Sequence, residues 1–434
     1  MNLLPPDHAE RYRLADEVHA RPPEAVETPS RATHVAVLVA PEQRSAEQAH
    51  LGVLCAHFGV PPPQPQATQF SADLGSVRLK WERHGEFSGY TLFAAGRSPA
   101  PFSEPALSIL PAQWLAGVPG STIFAAHAKL IPFGDEVPSP EFLAQHFDAN
   151  VPVGAEIGGG AGLAFTDFKI RADGCARFLV LDRGFTPRQA GRTLQRLFEI
   201  ETYRMMALLA LPVAREQAVR VVATERSLAS LTEDIARGHG DDEALLQALT
   251  GLAAEVESGL AASQFRFGAC RAYHDLVTTR ISELRERRLP GIQTIEEFMA
   301  RRFTPAVATC ASTSQRLHDL SERVAQACGL LSTRVDIARE RQNQMLLESM
   351  NRRAKLQLRL QQTVEGLSVA AIVYYVAGLI GYLSKGLKAS GLRLDPDLVV
   401  GIAIPVVAAL AVWVLRRAHR RNFKADGASP AHEL

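Results

Sequence analysis

The chain has 434 residues, 47% of them apolar, and a formal net charge of +1. That length suits two or three domains with buried cores, and 47 basic against 46 acidic side chains exclude a general nucleic-acid binder. Five cysteines (Cys55, Cys175, Cys270, Cys310 and Cys328) are scattered with no CxxC pair, which suits reduced thiols rather than a disulfide framework or a zinc site.

The N-terminal MNLLPPDHAERYRL has no basic stretch followed by an apolar one, so it is not read as a secretory signal, and residues 1–360 are expected in the cytoplasm. Residues 1–30 form an irregular, proline-rich arm. Its His19 and Arg21 could bind an anion, although packing on the first domain is the plainer reading. Residues 31–186 read as an α/β domain. HVAVLVA is a strand, and PEQRSAEQAHLGVLCAHFGV has helical spacing up to Gly59. VRLKWERHGEFSGYTLFAA alternates about His84-Gly85, a hairpin signal. STIFAAHAKLI and GLAFTDFKIRADGCARFLVLD supply three more strands, the last two joined at Ala172-Asp173-Gly174. The expected domain is a mixed, largely antiparallel sheet with helices.

Residues 187–311 turn helical. Pro187 opens an amphipathic helix, Pro212 opens another, Gly238–Asp242 is a break, and a long run follows to about Arg288. TIEEFMARRF carries a capping box, Thr294 with Glu297. Residues 312–365 read as a long stalk helix with apolar side chains recurring from Leu317 to Val364. Continued to Leu383 it has about 70 residues, roughly 105 Å of helix. Such a helix cannot bury a face alone. It needs partner helices from the same chain or other subunits, and Leu331 and Val335 are expected at such contacts.

Gly366–Leu383 and Leu398–Leu415 carry no charge. Each is about 18 residues, roughly 27 Å of helix, which just spans a bilayer core. They are expected to form transmembrane helices 366–383 and 398–415, with an outer loop 384–397 and a basic tail 416–434. Arg352, Arg353, Lys355 and Arg359 precede the first span, and Arg416, Arg417, Arg420, Arg421 and Lys424 follow the second. This charge bias places both termini in the cytoplasm.

Signals for catalysis are weak. EIGGGAG is glycine-rich, but no GK[ST] and no helix follow it, so a turn is the better reading than a phosphate loop. His50 and His57 could share a helix face but lack further ligands at metal spacing, and His127 reads as a packed strand residue. There is no GxSxG, no HExxH and no Cys/His nucleophile signature. No enzyme activity, metal site or cofactor is assigned.

The first apolar span is more informative. On a helical wheel Glu365, Ser368, Tyr375 and Tyr382 fall within an arc of about 100°, with Asn351 about 40° outside it. If several copies met on an axis, this stripe would line a pore, with Glu365 as a carboxylate ring that attracts cations. Alternatively, Glu365 sits among lipid headgroups beside Arg359 and the tyrosines belong to an interface belt. Gly378 and Gly381 would let helices approach closely at the outer end.

LADEVHARPPE, RLPGIQTIEEFMARR and ERQNQMLLESMNRRAKLQLRLQQTVEGLSVAAIVYYVAGLIGYLSKG resemble an uncharacterised bacterial family of membrane-anchored proteins. More remotely, the order of α/β domain, stalk helix, first span, short loop, second span and basic tail resembles the CorA magnesium-channel superfamily. That resemblance implies an inner-membrane homopentamer with the first span around a cation pore. The superfamily's Gly-Met-Asn is not matched: Tyr382 and Leu383 follow Gly381. The amide that would hold a hydrated cation is therefore missing. The resemblance implies a channel or transporter of altered selectivity, with divalent cations as candidate cargo and the bilayer and its own copies as partners. A non-conducting, membrane-anchored binding or scaffold protein is the other expectation.

Overall fold

The computed structural model describes residues 5–12, 14–15, 22–389 and 395–426; His19, Arg21, residues 390–394 of the outer loop and the end of the tail lie outside them. The chain divides into two compact units, Met1–Leu331 and Ser332–Leu434.

The first unit is built on an eight-stranded sheet. Its strands are β1 (Ser30–Leu38), β2 (Gln69–Asp73), β3 (Arg78–Arg83), β4 (Phe87–Ala95), β5 (Ser121–Pro132), β6 (Val153–Ile157), β7 (Gly162–Thr166) and β8 (Ala176–Asp182). They lie in the order β2-β3-β4-β1-β5-β8-β7-β6. All neighbours pair antiparallel except β5 and β8, so the sheet is mixed and largely antiparallel. His84-Gly85 forms the tight turn between β3 and β4, closed by the His84 N–H donating to the Phe87 carbonyl at 2.8 Å.

Strands β2 and β6 are not anticipated by the sequence pattern. The second explains the triple glycine. Gly158, Gly159 and Gly160 have φ of 64°, 72° and 97°, a left-handed run that closes the β6–β7 hairpin, so EIGGGAG is a turn between strands.

Helix α1 (Arg44–His57) packs Leu51 and Leu54 into a cluster with Leu79, Trp81, Tyr90 and Leu92 of the sheet. Two short helices follow, α2 (Ala112–Ala116) and α3 (Pro140–Phe147). Helix α4 (Pro187–Leu208) covers the other face, where Leu194, Leu197 and Phe198 join Ala36, Phe124 and Phe178. It starts on a capping box, Thr186 with Gln189. Its buried Gly191 is obligatory, because a Cβ there would run into the carbonyl of Glu24.

Helices α5 (Ala210–Arg237), α6 (Asp242–Leu284), α7 (Ile295–Arg302) and α8 (Thr304–Ala389) follow. Pro212 falls inside the first turn of α5, where a missing backbone donor costs nothing. The core continues from the sheet into this bundle through Val221, Leu228, Val256, Phe267, Leu317, Val324 and Leu331. Leu331 is therefore buried within its own chain, and its substitution would test folding rather than assembly.

Three helices converge at Gly259 of α6, where an added Cβ would meet Gln217 Oε1 of α5 at 3.0 Å and Leu317 Cδ2 of α8 at 3.8 Å. Gly259→Leu should wedge the bundle and cost about 1–3 kcal/mol through overpacking, read as a lower melting temperature by circular dichroism.

The second unit holds the rest of α8 and α9 (Pro396–Asp426). Both contain stretches long and apolar enough to cross a membrane, with mean hydropathy of 1.8 over an 18-residue segment of the helical stretch ending at Leu387 and 2.4 over such a segment within Pro396–Val414. Along α8, Met345, Leu346, Met350, Leu356, Leu360 and Val364 are exposed.

Candidate functional site

The second unit places two distinct faces on the apolar part of α8. Ala377 and Ser384 are buried, and a Cβ on Gly381 would meet Val400 Cγ2 of α9 at 3.3 Å, so this face packs on α9. Ser384 keeps its hydroxyl satisfied by donating to the Gly381 carbonyl at 2.9 Å. Ala377 and Ser384 each sit two residues beyond a stripe tyrosine, about 200° round the helix. The tyrosines themselves are exposed, Tyr375 at 71% and Tyr382 at 79%.

Tyr375, Gly378, Gly381 and Tyr382 come together on one cleft of about 750 Å³, which Lys385, Asp397, Val400 and Ile404 also line. The glycines leave the furrow open, because nothing stands within 4 Å of a Cβ built on Gly378. Asn351, Glu365 and Ser368 are not part of this cleft. Asn351 is exposed, Glu365 Oε1 accepts from Gln361 Nε2 at 3.3 Å, and the Ser368 hydroxyl donates to the Val364 carbonyl at 2.9 Å.

A second polar site lies in the first unit, under α4. Strand β3 alternates, so Leu79 and Trp81 enter the α1 cluster while Lys80 and Glu82 point to the other face. Both are nearly buried and pair at 3.0 Å. Lys80 Nζ reaches Gln195 Oε1 at 3.4 Å, and Gln195 Nε2 donates to Glu199 Oε1 at 2.7 Å. Glu199 pairs with Arg280 of α6, which also reaches Glu283, and Glu283 holds Arg196 Nε at 2.9 Å. Beside this relay is a cavity of about 30 Å³, room for about one water, lined by His34, Lys80, Glu82, Thr91, Gln195 and Thr202 among others.

His34 is buried there. Its Nδ1 lies 2.8 Å from Thr91 Oγ1 and its Nε2 3.3 Å from Thr202 Oγ1, and its ring stacks on Phe198 at 5.1 Å. Gly89 makes room for it, since a Cβ there would meet His34 Cε1 at 3.0 Å. Burial, reinforced by His84 and Lys80, pushes its pKa down to about 3. His127 of β5 is a packed strand residue, with Nδ1 2.8 Å from Thr33 Oγ1. Burial and Arg177 push its pKa down to about 4 against the opposing pull of Asp173. The charges of this layer are paired with one another, and among the described residues no group of three or more His, Cys, Asp or Glu is placed to hold a metal ion. His50 is engaged elsewhere, donating from Nε2 to the Trp114 carbonyl at 2.7 Å.

The polar layer escapes sequence reasoning because KWERHGE alternates as a half-solvated strand does. The alternation marks Lys80 and Glu82 as one face but cannot say that α4 covers it.

Both histidines are held neutral with folded pKa values below the ordinary 6.5, so their contribution to stability is complete above pH 6.5 and is lost as pH falls towards 4 and 3. Unfolding free energy should decline between pH 6.5 and 5, by up to about 1.4 kcal/mol per pH unit for each histidine. His34→Asn with His127→Asn should flatten that slope in denaturant titrations at each pH.

The chain belongs to a family described as protein of unknown function (DUF3422), whose profile matches residues 6–422. No curated protein matches it. Among solved structures, the structure of the full-length CmaX protein aligns with 67% of this chain and 88% of its own, at 13% identity and a TM-score of 0.19. A likeness at that level carries no argument.

Proposed function

We propose that the protein is a homo-oligomer of the bacterial inner membrane, with its α/β unit in the cytoplasm and the apolar segments of α8 and α9 crossing the bilayer as a hairpin. Cations pass along the axis on which its copies meet. The observation that carries this reading is the division of faces on α8. The small residues Ala377, Gly381 and Ser384 face α9, while Tyr375 and Tyr382 stay largely exposed at the rim of the cleft and continue a stripe that runs back through the exposed Ser368 to the half-buried Glu365. A polar stripe turned to lipid is costly, and turning it to an axis relieves that cost. The basic residues flanking the two spans support cytoplasmic termini.

The exposed apolar stripe from Met345 to Val364 supports the same assembly. Covering it with a second copy would remove roughly 1.5–3 kcal/mol of unfavourable exposure per side chain. Leu356→Asn with Leu360→Asn should therefore dissociate the oligomer while leaving the first unit's melting transition in place. The measurement is native mass in mild detergent, and a monodisperse unmodified monomer would sink the assembly.

Glu365 is the acidic group on the stripe. In a ring it concentrates cations by Coulomb attraction, more weakly at high salt. Glu365→Gln should lower cation flux into proteoliposomes at low salt, by several-fold, without loss of assembly. Tyr382 puts a bulky ring at the outer end, and Tyr382→Ala should raise flux or relax selectivity. A second reading, a non-conducting anchored scaffold, is favoured by Tyr374, Tyr375 and Tyr382, all exposed as interface-belt residues are. Flux no greater than in empty liposomes for the unmodified protein and both variants would select it, once impermeant-maleimide labelling of Gly386→Cys shows insertion.

A further inference from the structure

The α/β unit contains a cavity of about 240 Å³ on the α1 side of the sheet. Its floor is the sheet, through Val35, Val37 and Leu92, and its roof is the segment that carries α2, through Leu107, Leu110 and Trp114. Protein interiors rarely leave voids larger than a water molecule, so one of this size calls for a reason.

The roof is held off the sheet at both ends by polar clamps. At the far end Trp114 Nε1 donates to the His50 carbonyl at 2.8 Å, His50 Nε2 donates back to the Trp114 carbonyl at 2.7 Å, and the two rings stack at 4.9 Å. At the near end Arg31 Nη1 donates to the Glu104 carbonyl at 2.6 Å. Such clamps keep the roof from settling into the space beneath it.

The lining also states what would fit. Among the described residues no charged side chain lines the cavity. The phenol of Tyr90 is turned away to donate to Glu47 at 2.8 Å, so the floor offers no free polar group there. Thr122 lines the cavity and is exposed, beside Gly120, and marks the mouth. We infer that this cavity is a binding site for a compact, uncharged apolar small molecule, a single aromatic ring with a short substituent, entering past Gly120 and Thr122. A cavity of about 150 Å³ with a Leu/Ile/Phe lining already admits benzene.

Trp114 in the roof reports occupancy. In the full-length protein carrying Trp413→Phe, which leaves Trp114 and the fully buried Trp81 as emitters, bromobenzene should quench the Trp114 share of the emission with a saturating dependence. Val37→Phe from the floor and Leu115→Phe from the roof should each weaken that saturation at least tenfold, with circular dichroism unchanged. The anionic 4-bromobenzoate should give only linear, collisional quenching. Linear quenching by bromobenzene overturns the proposal whatever the variants do. So does saturation that survives both cavity-filling substitutions in folded protein, or saturation by 4-bromobenzoate.

Discussion

Much of this structure depends on one apolar stripe along α8. In the first unit the stripe is covered: Val307, Cys310, Leu317, Leu320, Val324 and Leu331 enter the same core as the sheet and the helices α5 and α6. Further on it is not, and Met345, Leu356 and Leu360 stand exposed. A helix has no means of burying its own face, so an element that is core at one end and uncovered at the other needs something outside the chain. The same periodicity thus serves folding in the first unit and, in the proposed assembly, association beyond it. Leu331 is buried in its own chain, whereas Leu360 is exposed.

The α/β unit is organised by a different constraint, the burial of charge. Lys80 and Glu82 are withdrawn from water under α4, and removing one partner of such a pair costs about 3–5 kcal/mol because the other is left uncompensated. The relay through Gln195, Glu199, Arg280 and Glu283 spreads that charge from the sheet across α4 to α6. Helix α4 must therefore sit in one register on the sheet. Gly191 and Gly89 permit that register, the one by close backbone approach and the other by leaving space for His34.

Local chemistry was legible in the sequence where it decides the structure alone. The His84-Gly85 turn, the Thr294 cap and the glycine-rich turn at Gly158–Gly160 are all short-range features whose backbone demands are written in residue type. Strands β2 and β6 were not legible, because QFSAD and VGAEI are only five residues long and form the two edges of the sheet, each paired to the strand that follows it in sequence. The covered polar face of β3 was missed for a different reason. Periodicity reports that a face is polar, and only tertiary packing reports what lies over it. On α8 the sequence assigned the stripe from Glu365 to Tyr382 to one face. It did not show that Tyr375 and Tyr382 share a cleft with α9 which Glu365 and Ser368 do not line.

The two glycines of that segment, three residues apart, turn out to differ. Gly381 faces α9, where Val400 would crowd a Cβ, so its small size serves packing within the chain. Gly378 has open space around it, and no neighbour in its own chain requires it to be small. A glycine that costs a helix about 1 kcal/mol relative to alanine, with no close contact to repay it, fits a surface that another helix is to approach. It lies between the tyrosine stripe and the α9 contact, beside the furrow that both line. The position of Gly378 therefore points to the same side of α8 that the exposed polar stripe does. Two observations of unlike chemistry, a missing side chain and an uncovered polar face, bear on one direction round the helix.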